Sequence, residues 1–417
     1  MLLALAGAAR AAIAPLETNQ PEEQPPPIMR WMVTSTKTGV RAILPIVDSD
    51  PNTGVTFGAM PIWVVYDSSR TIRQIHSLAL SYNQNFGAST QYQYFLFPRP
   101  DTNFLLRLGA SERFDREIVT EYSSDSFLGR RQSFDGRFEY SRDSSKRFFG
   151  LGANTPKAAE SNYTLDTVNY LLALGRPVAD GSPVFVTLKH LFQANEVGGG
   201  SLASVTDINH VHPEVFRTVE DRHYNASLRG YLEYDTRDSA ITTSRGSYAG
   251  VFLGGAHKDT GLSEYSYYRY GAEAKHFVPW SRAGEPEPRF VTAVRGRFED
   301  LRGDVPFWLL PELGGKYSLR AYGEGRYTDH TLLVVNLEQR CRVYSASFGG
   351  QTASFWLDPF LGLGTVADRP DALQNKFMRP VYGAALRVVA RPQLVGSADF
   401  GVGQEGLKVF IDINYSF

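Results

Sequence analysis

Cysteine is almost missing from this chain: Cys341 is the one thiol in 417 residues. That excludes an intramolecular disulfide framework and any zinc site built on paired cysteines. Long apolar runs are missing too, and no segment offers the ~18 uninterrupted apolar residues of a transmembrane helix. Neither sign of charge prevails, with 43 Lys and Arg against 44 Asp and Glu for a formal net charge of −1. Without basic blocks that alternate with aromatics, the chain has no electrostatic footprint for nucleic acid. Local enzyme signatures are absent: there is no Gly-x-Ser-x-Gly elbow, no Walker loop and no His-Glu-x-x-His. The expectation is therefore a protein that is not an enzyme and uses no cofactor or metal.

Glycine and aromatic residues are plentiful, at 38 Gly, 22 Tyr and 26 Phe. Such a mixture suits many strands, tight turns and aromatic belts at two membrane interfaces. From about Thr53 the dominant pattern is alternation with period two, the mark of a strand with one apolar and one polar face. Ala226, Leu228, Gly230, Leu232 and Tyr234 share one face, while Arg229, Glu233 and Asp235 share the other. The same split separates Phe134, Gly136, Phe138 and Tyr140 from Asp135, Arg137 and Glu139. It also separates Val294, Gly296 and Phe298 from Arg295, Arg297 and Glu299. A soluble β-sandwich alternates as well, but strand number and length favour a barrel. About sixteen such stretches follow one another: 53–66, 72–83, 88–98, 102–110, 131–141, 161–175, 183–196, 222–235, 247–257, 264–277, 289–300, 329–341, 351–365, 379–390, 393–403 and 406–417. Many reach the ~9–11 residues that cross a bilayer, and an even count in one sheet suits closure. The fold class expected is all-β: a transmembrane antiparallel β-barrel of about 16 strands.

The long connections, about 142–160, 198–221, 301–328 and 366–378, follow odd-numbered strands and so share one side. The stretch 115–129 is long yet lies on the side of the short turns, so either the count is off there or an excursion exists. Ahead of the barrel, residues 1–14 read as a signal peptide ending in Ala12-Ile13-Ala14. No Lys or Arg precedes its apolar core, which points to a start site placed too late. Residues 15–38 read as a Pro-rich linker, and 39–417 as the barrel domain, with a short apolar stretch near Val40 to Val47 at its head.

The segment Leu313-Gly-Gly-Lys-Tyr-Ser-Leu-Arg320-Ala321-Tyr322, ahead of a strand carrying Leu337-Glu338-Gln-Arg340, resembles the sixth external loop of the BamA/TamA superfamily of outer-membrane assembly barrels (the bacterial surface antigen family). The family motif there is Val/Ile-Arg-Gly-Phe/Tyr. This chain keeps the Arg and the aromatic, with Leu319 for the first residue and Ala321 for the Gly. Further landmarks run in family order: Asp50-Pro-Asn-Thr-Gly54, Phe148-Phe-Gly150-Leu-Gly152-Ala-Asn154, and Asp235-Thr-Arg-Asp238 followed by Gly246. The count places eleven strands before the motif loop and five after it.

The resemblance implies a loop folded back into the lumen, with Arg320 paired to Glu338 and Asp358 on two neighbouring strands. Charge logic agrees, because an unpaired buried guanidinium costs several kcal/mol by rough reckoning. By alternation Asn336, Glu338 and Arg340 share one lumen face, and Ser354, Trp356 and Asp358 the next. The alternative is that Arg320 is a solvated loop residue beside acids lining a wet lumen. The stretch 406–417 alternates to its end, and Ile413, Tyr415 and Phe417 resemble the strand signal that assembly machinery reads on its clients.

The resemblance further implies location in the bacterial outer membrane, contact with outer-membrane lipid, and insertion or translocation of client outer-membrane or secreted proteins through a weak seam between 53–66 and 406–417. Relatives receive clients on periplasmic POTRA domains; here a separate periplasmic partner protein would have to supply them. Two other classes stay open, a passive pore and a lipid-modifying enzyme. The nearest metal-like cluster, His210, His212 and His223, reads as a solvated loop, and Asp235 with Asp238 as a turn bonded to its own backbone.

Overall fold

Alternation and strand length together dictate the architecture of the computed structural model. It describes residues 33–36, 38–68, 71–99, 101–129, 131–240, 242–280, 288–348, 351–390, 394–413, 415 and 417. The proposed signal peptide and nearly all of the linker lie outside the described residues. Eighteen antiparallel strands form one closed sheet: β1 (Gly39–Asp50), β2 (Gly54–Tyr66), β3 (Ile72–Asn83), β4 (Gly87–Arg99), β5 (Thr102–Ser111), β6 (Arg116–Ser124), β7 (Ser133–Phe148), β8 (Ser161–Pro177), β9 (Val184–Gly198), β10 (His223–Asp235), β11 (Gly246–Ala256), β12 (Tyr267–Trp280), β13 (Phe290–Gly303), β14 (Thr331–Phe348), β15 (Gln351–Ala367), β16 (Arg379–Ala390), β17 (Leu394–Gly403) and β18 (Gly406–Ile413). Each pairs with its sequence neighbour, and β18 returns to β1. A short strand, Val33–Thr36, folds back on the first residues of β1.

The outer wall carries exposed Leu, Val, Tyr and Phe, such as Leu172, Leu174, Leu228, Leu253, Leu361 and Leu386. The inner wall buries Arg229, Glu233, Arg269, Glu299, Glu338 and Asp399. A hydrophobic face turned outward and a charged face turned inward is the inverse of a soluble sandwich, and it suits lipid outside and water inside.

Two strands go beyond the sequence count of about 16. The first is β1, which overlaps the apolar stretch near Val40 to Val47. Its inward side chains include Ala42, Leu44 and Ile46, half-buried and apolar, so the polar half of the alternation is missing. The second is β6, which fills the anomalous connection 115–129 and sets Val119 inward, fully buried among polar residues. The true first strand is therefore 39–50, not 53–66, and the motif loop follows the thirteenth strand, so it is the seventh connection on its rim rather than the sixth.

The long connections 149–160, 199–222, 257–266, 304–330 and 368–378 share one rim, joined there by the turn 51–53. Asn52 in that turn donates from Nδ2 to the Glu324 carbonyl at 2.9 Å. Closure is uneven. Between β1 and β18 one residue pair, Ser49 with Ile411, is in register among the described residues, whereas β17 and β18 share eight.

Candidate functional site inside the barrel

The connection 304–330 turns back into the lumen and carries the Arg320 motif with it. Leu319, Ala321 and Tyr322 are fully buried, and they pack with Leu313, Tyr327, Leu332, Val334, Phe360 and Val381. Wall atoms bond the loop backbone: Asn336 Nδ2 donates to the Ser318 carbonyl at 2.9 Å, and Arg295 donates to that of Tyr317. Arg320 Nη1 donates to Glu338 Oε2 on β14 and to Asp399 Oδ1 on β17, both at 2.8 Å. Its guanidinium carbon stands 3.5 Å from the centre of the Phe360 ring, a cation–π contact.

Glu338 therefore meets Arg320 as the sequence reading expects, while Asp358 does not. Asp358 accepts from Arg387 on β16 and from the Cys341 backbone N–H at 3.0 Å. Arg387 also reaches Glu338 at 3.1 Å and Asp399 at 3.2 Å. Arg340 donates from Nε to Glu338 Oε1 at 2.8 Å. Three guanidiniums, Arg320, Arg340 and Arg387, thus meet three carboxylates, Glu338, Asp358 and Asp399, all nearly devoid of solvent contact. Equal counts matter, because a buried charge is tolerated when paired and costly when alone. Asp399 and Arg387 escaped the sequence reading. The signal was available, since period two along 393–403 sets Ser397, Asp399, Gly401 and Gly403 on one face.

Those glycines also explain Ala321. A Cβ on Gly401 would stand 1.9 Å from the Arg320 carbonyl oxygen, and one on Gly403 would stand 3.0 Å from the Ala321 Cβ. Close approach between loop and wall is here provided by glycines of the wall, and Ala321 has no positive φ.

Beyond β18, Tyr415 and Phe417 enter the same chamber. The strand stops at Ile413, whose side chain lies outside the described residues. Instead of continuing along the outer wall, Tyr415 packs on Trp356 and Val389, with its ring 3.8 Å from the Arg340 guanidinium carbon. Phe417 packs against Phe277, Val291 and Ala293, and Arg340 Nη2 donates to its carbonyl at 3.0 Å. Arg340 Nη1 meanwhile donates to the Thr243 carbonyl, at 2.9 Å, in the turn between β10 and β11. Arg340 thus joins wall, turn and tail.

The other sequence candidates are dispersed. His212 bonds the Ala159 carbonyl at 3.0 Å, and His223 bonds Glu264 at 2.7 Å. Asp235 and Asp238 bond their own turn, to Arg237 and to Ser244 with Arg245. Among the described residues one group has metal-ligand spacing, Asp329, His330 and Asp368, at the long-loop rim. No second feature there points to a metal. The Asp329 hydrogen bond raises the His330 pKa above its ordinary value against the opposing effect of burial, with Asp368 adding to the rise.

Residues 99–402 match a family model described as the Omp85 superfamily domain. No curated protein matches the sequence. Among solved structures, BamA from Haemophilus ducreyi lacking POTRA domains 1-3 is 14% identical with a TM-score of 0.54, over 89% of this chain and 74% of that one. CdiB from Escherichia coli is 11% identical with a TM-score of 0.56, over 90% of this chain and 67% of that one. At such identities the likeness concerns the fold.

Proposed function

This chain belongs to the Omp85 superfamily, and from that membership we propose that it inserts or translocates polypeptides at the bacterial outer membrane, in the manner of the BamA/TamA branch. The observation that carries the proposal is the seam. A closed barrel gains stability by satisfying every backbone donor and acceptor in lipid, yet among the described residues β1 and β18 share one paired position, Ser49 with Ile411. The short strand Val33–Thr36 covers Gly39–Ala42 of β1, and the sparsely paired stretch between there and Ser49 offers a template to an incoming strand. The docked loop supports the same reading against a passive pore, because it fills lumen that a solute would need. Clients are outer-membrane or secreted proteins, with a separate periplasmic partner to deliver them, and no chemistry on the client is required.

The test is a disulfide across the seam. Ser49→Cys with Ile411→Cys, in a background where Cys341→Ser removes the native thiol, should close under oxidation and stop insertion of a small barrel client into vesicles, with recovery on reduction. Insertion that proceeds equally well through the locked barrel would rule out the seam. A steady open channel of porin size in planar bilayers would favour the pore.

A further inference from the structure

Away from the lumen, the outer wall carries one charged row whose order is unusual. Strand register aligns Arg142 on β7 with Asp166 on β8, and Asp166 with Glu196 on β9; Arg222 leads into β10 beside Glu196. Read across the wall, the row is cation, carboxylate, carboxylate, cation, over about 14 Å at three strand spacings. The row toward the barrel's middle is Tyr140, Val168, Ala194 and Tyr224, and the next contains Phe138, Tyr170 and Phe192. Tyr170 and Phe192 stack with centroids 5.4 Å apart. Aromatic rows of this kind mark the level where hydrocarbon gives way to headgroups, so the charged row faces headgroups.

Its internal pairs are solvated, one of them hydrogen-bonded. Arg142 stands 3.6 Å from Asp166 and Arg222 stands 2.9 Å from Glu196, with the arginines about half exposed. Such pairs contribute little, and each guanidinium has five N–H donors to offer. The two carboxylates oppose each other directly across β8 and β9, an arrangement that costs stability unless a cation sits between them. A cavity of about 250 Å³ opens among the four charged side chains, with Tyr140, Val168 and Ala194 on its apolar side.

We propose that this row docks the headgroup of an anionic, phosphate-bearing lipid together with a divalent cation. The complement of cation, carboxylate, carboxylate, cation is phosphate, metal, phosphate. The arginines grip phosphate oxygens, bidentate where geometry allows. The carboxylate pair holds Mg²⁺, which typically takes one or two carboxylates along with phosphates and keeps its remaining waters. The apolar side of the cavity receives the start of the acyl chains.

Native mass spectrometry of the whole barrel in detergent tests this, titrating phosphatidic acid, phosphatidylcholine or inorganic phosphate, each with Mg²⁺ or with EDTA. The wild type should retain phosphatidic acid over phosphatidylcholine, more strongly with Mg²⁺. R142Q/R222Q should lose the preference, and D166N/E196Q should lose the Mg²⁺ dependence. These side chains are partly exposed, so the variants should fold, as heat-modifiable migration will show; R222Q alone serves if a double variant does not. Equal retention of phosphatidic acid by wild type and variants overturns the proposal, as does absence of a preference in the wild type. Inorganic phosphate bound as well as phosphatidic acid overturns the lipid as its source.

Discussion

Asp399 holds two guanidiniums at once, Arg320 from the loop at 2.8 Å and Arg387 from the wall at 3.2 Å. Asp399→Ala would leave the cluster with one cation in excess, and breaking a buried pair on one side costs about 3–5 kcal/mol. The unfolding midpoint of the barrel in urea should fall accordingly, while Asp399→Asn, which keeps the shape, should lose less. A midpoint unchanged in Asp399→Ala would show that Arg320 is not held there. Gly401→Ala should lift the loop, because its Cβ would collide with the Arg320 carbonyl oxygen. Limited proteolysis within 304–330 reads this, with Gly396→Ala as the control, since a Cβ there meets nothing within 4 Å. At the rim, the raised His330 pKa fixes the sign of a pH effect. Its pairing with Asp329 and Asp368, near Arg302, contributes stability that is fully present below the unfolded value of about 6.5 and is lost as pH rises through the higher folded value. Amide exchange in 368–378, corrected for intrinsic rate, should therefore be slower at acid pH, and His330→Gln should flatten the profile. Glu338 was legible as a partner because alternation turns it inward and the loop motif names its arginine. Asp399 was not, because which wall a re-entrant loop leans on follows from packing at Gly401 and Gly403 across the lumen. That is a contact between segments, not a period along one.

Strands announce themselves in this sequence wherever one face is apolar and the other polar, and they hide where both faces agree. That is why β1, with Leu44 and Ile46 turned inward, reads as a plain apolar stretch, and why β6, with Val119 inside, reads as a loop. The two omissions cancel in direction. Losing β1 inverts the sense of the next four strands, and losing β6 restores it, so every strand from β7 onward has the right orientation despite the low count. The anomalous connection at 115–129 was the trace of that compensation. At the seam, alternation in 406–417 suits a strand facing lipid to its end, yet Tyr415 and Phe417 turn into the lumen. Period two describes what a strand can do, and pairing decides whether it is one. The cross-link between positions 49 and 411 should for the same reason raise the unfolding midpoint, because it adds restraint where, among the described residues, one pair joins the first and last strands. A cross-link between β8 and β9, which pair along their length, should add less.

At the scale of the molecule, loop, wall and tail meet in one chamber through Glu338 and Arg340, so neither the loop nor the tail can leave without disturbing the other's partner. The cluster of three guanidiniums and three carboxylates is balanced while Arg320 is docked. Undocking withdraws Arg320 and leaves Arg340 and Arg387 facing Glu338, Asp358 and Asp399, two cations against three anions. Fixed charge lining a pore selects the ions that pass it. Arg320→Ala should therefore shift the reversal potential in a salt gradient toward cation preference, and an unshifted potential would show that the chamber does not lie on the conduction path. The same arithmetic makes the folded loop a counter-ion. Around Glu338 the barrel is an exchanger charged with its own arginine, and whatever displaces Arg320 must bring a positive charge of its own or leave those three carboxylates one cation short.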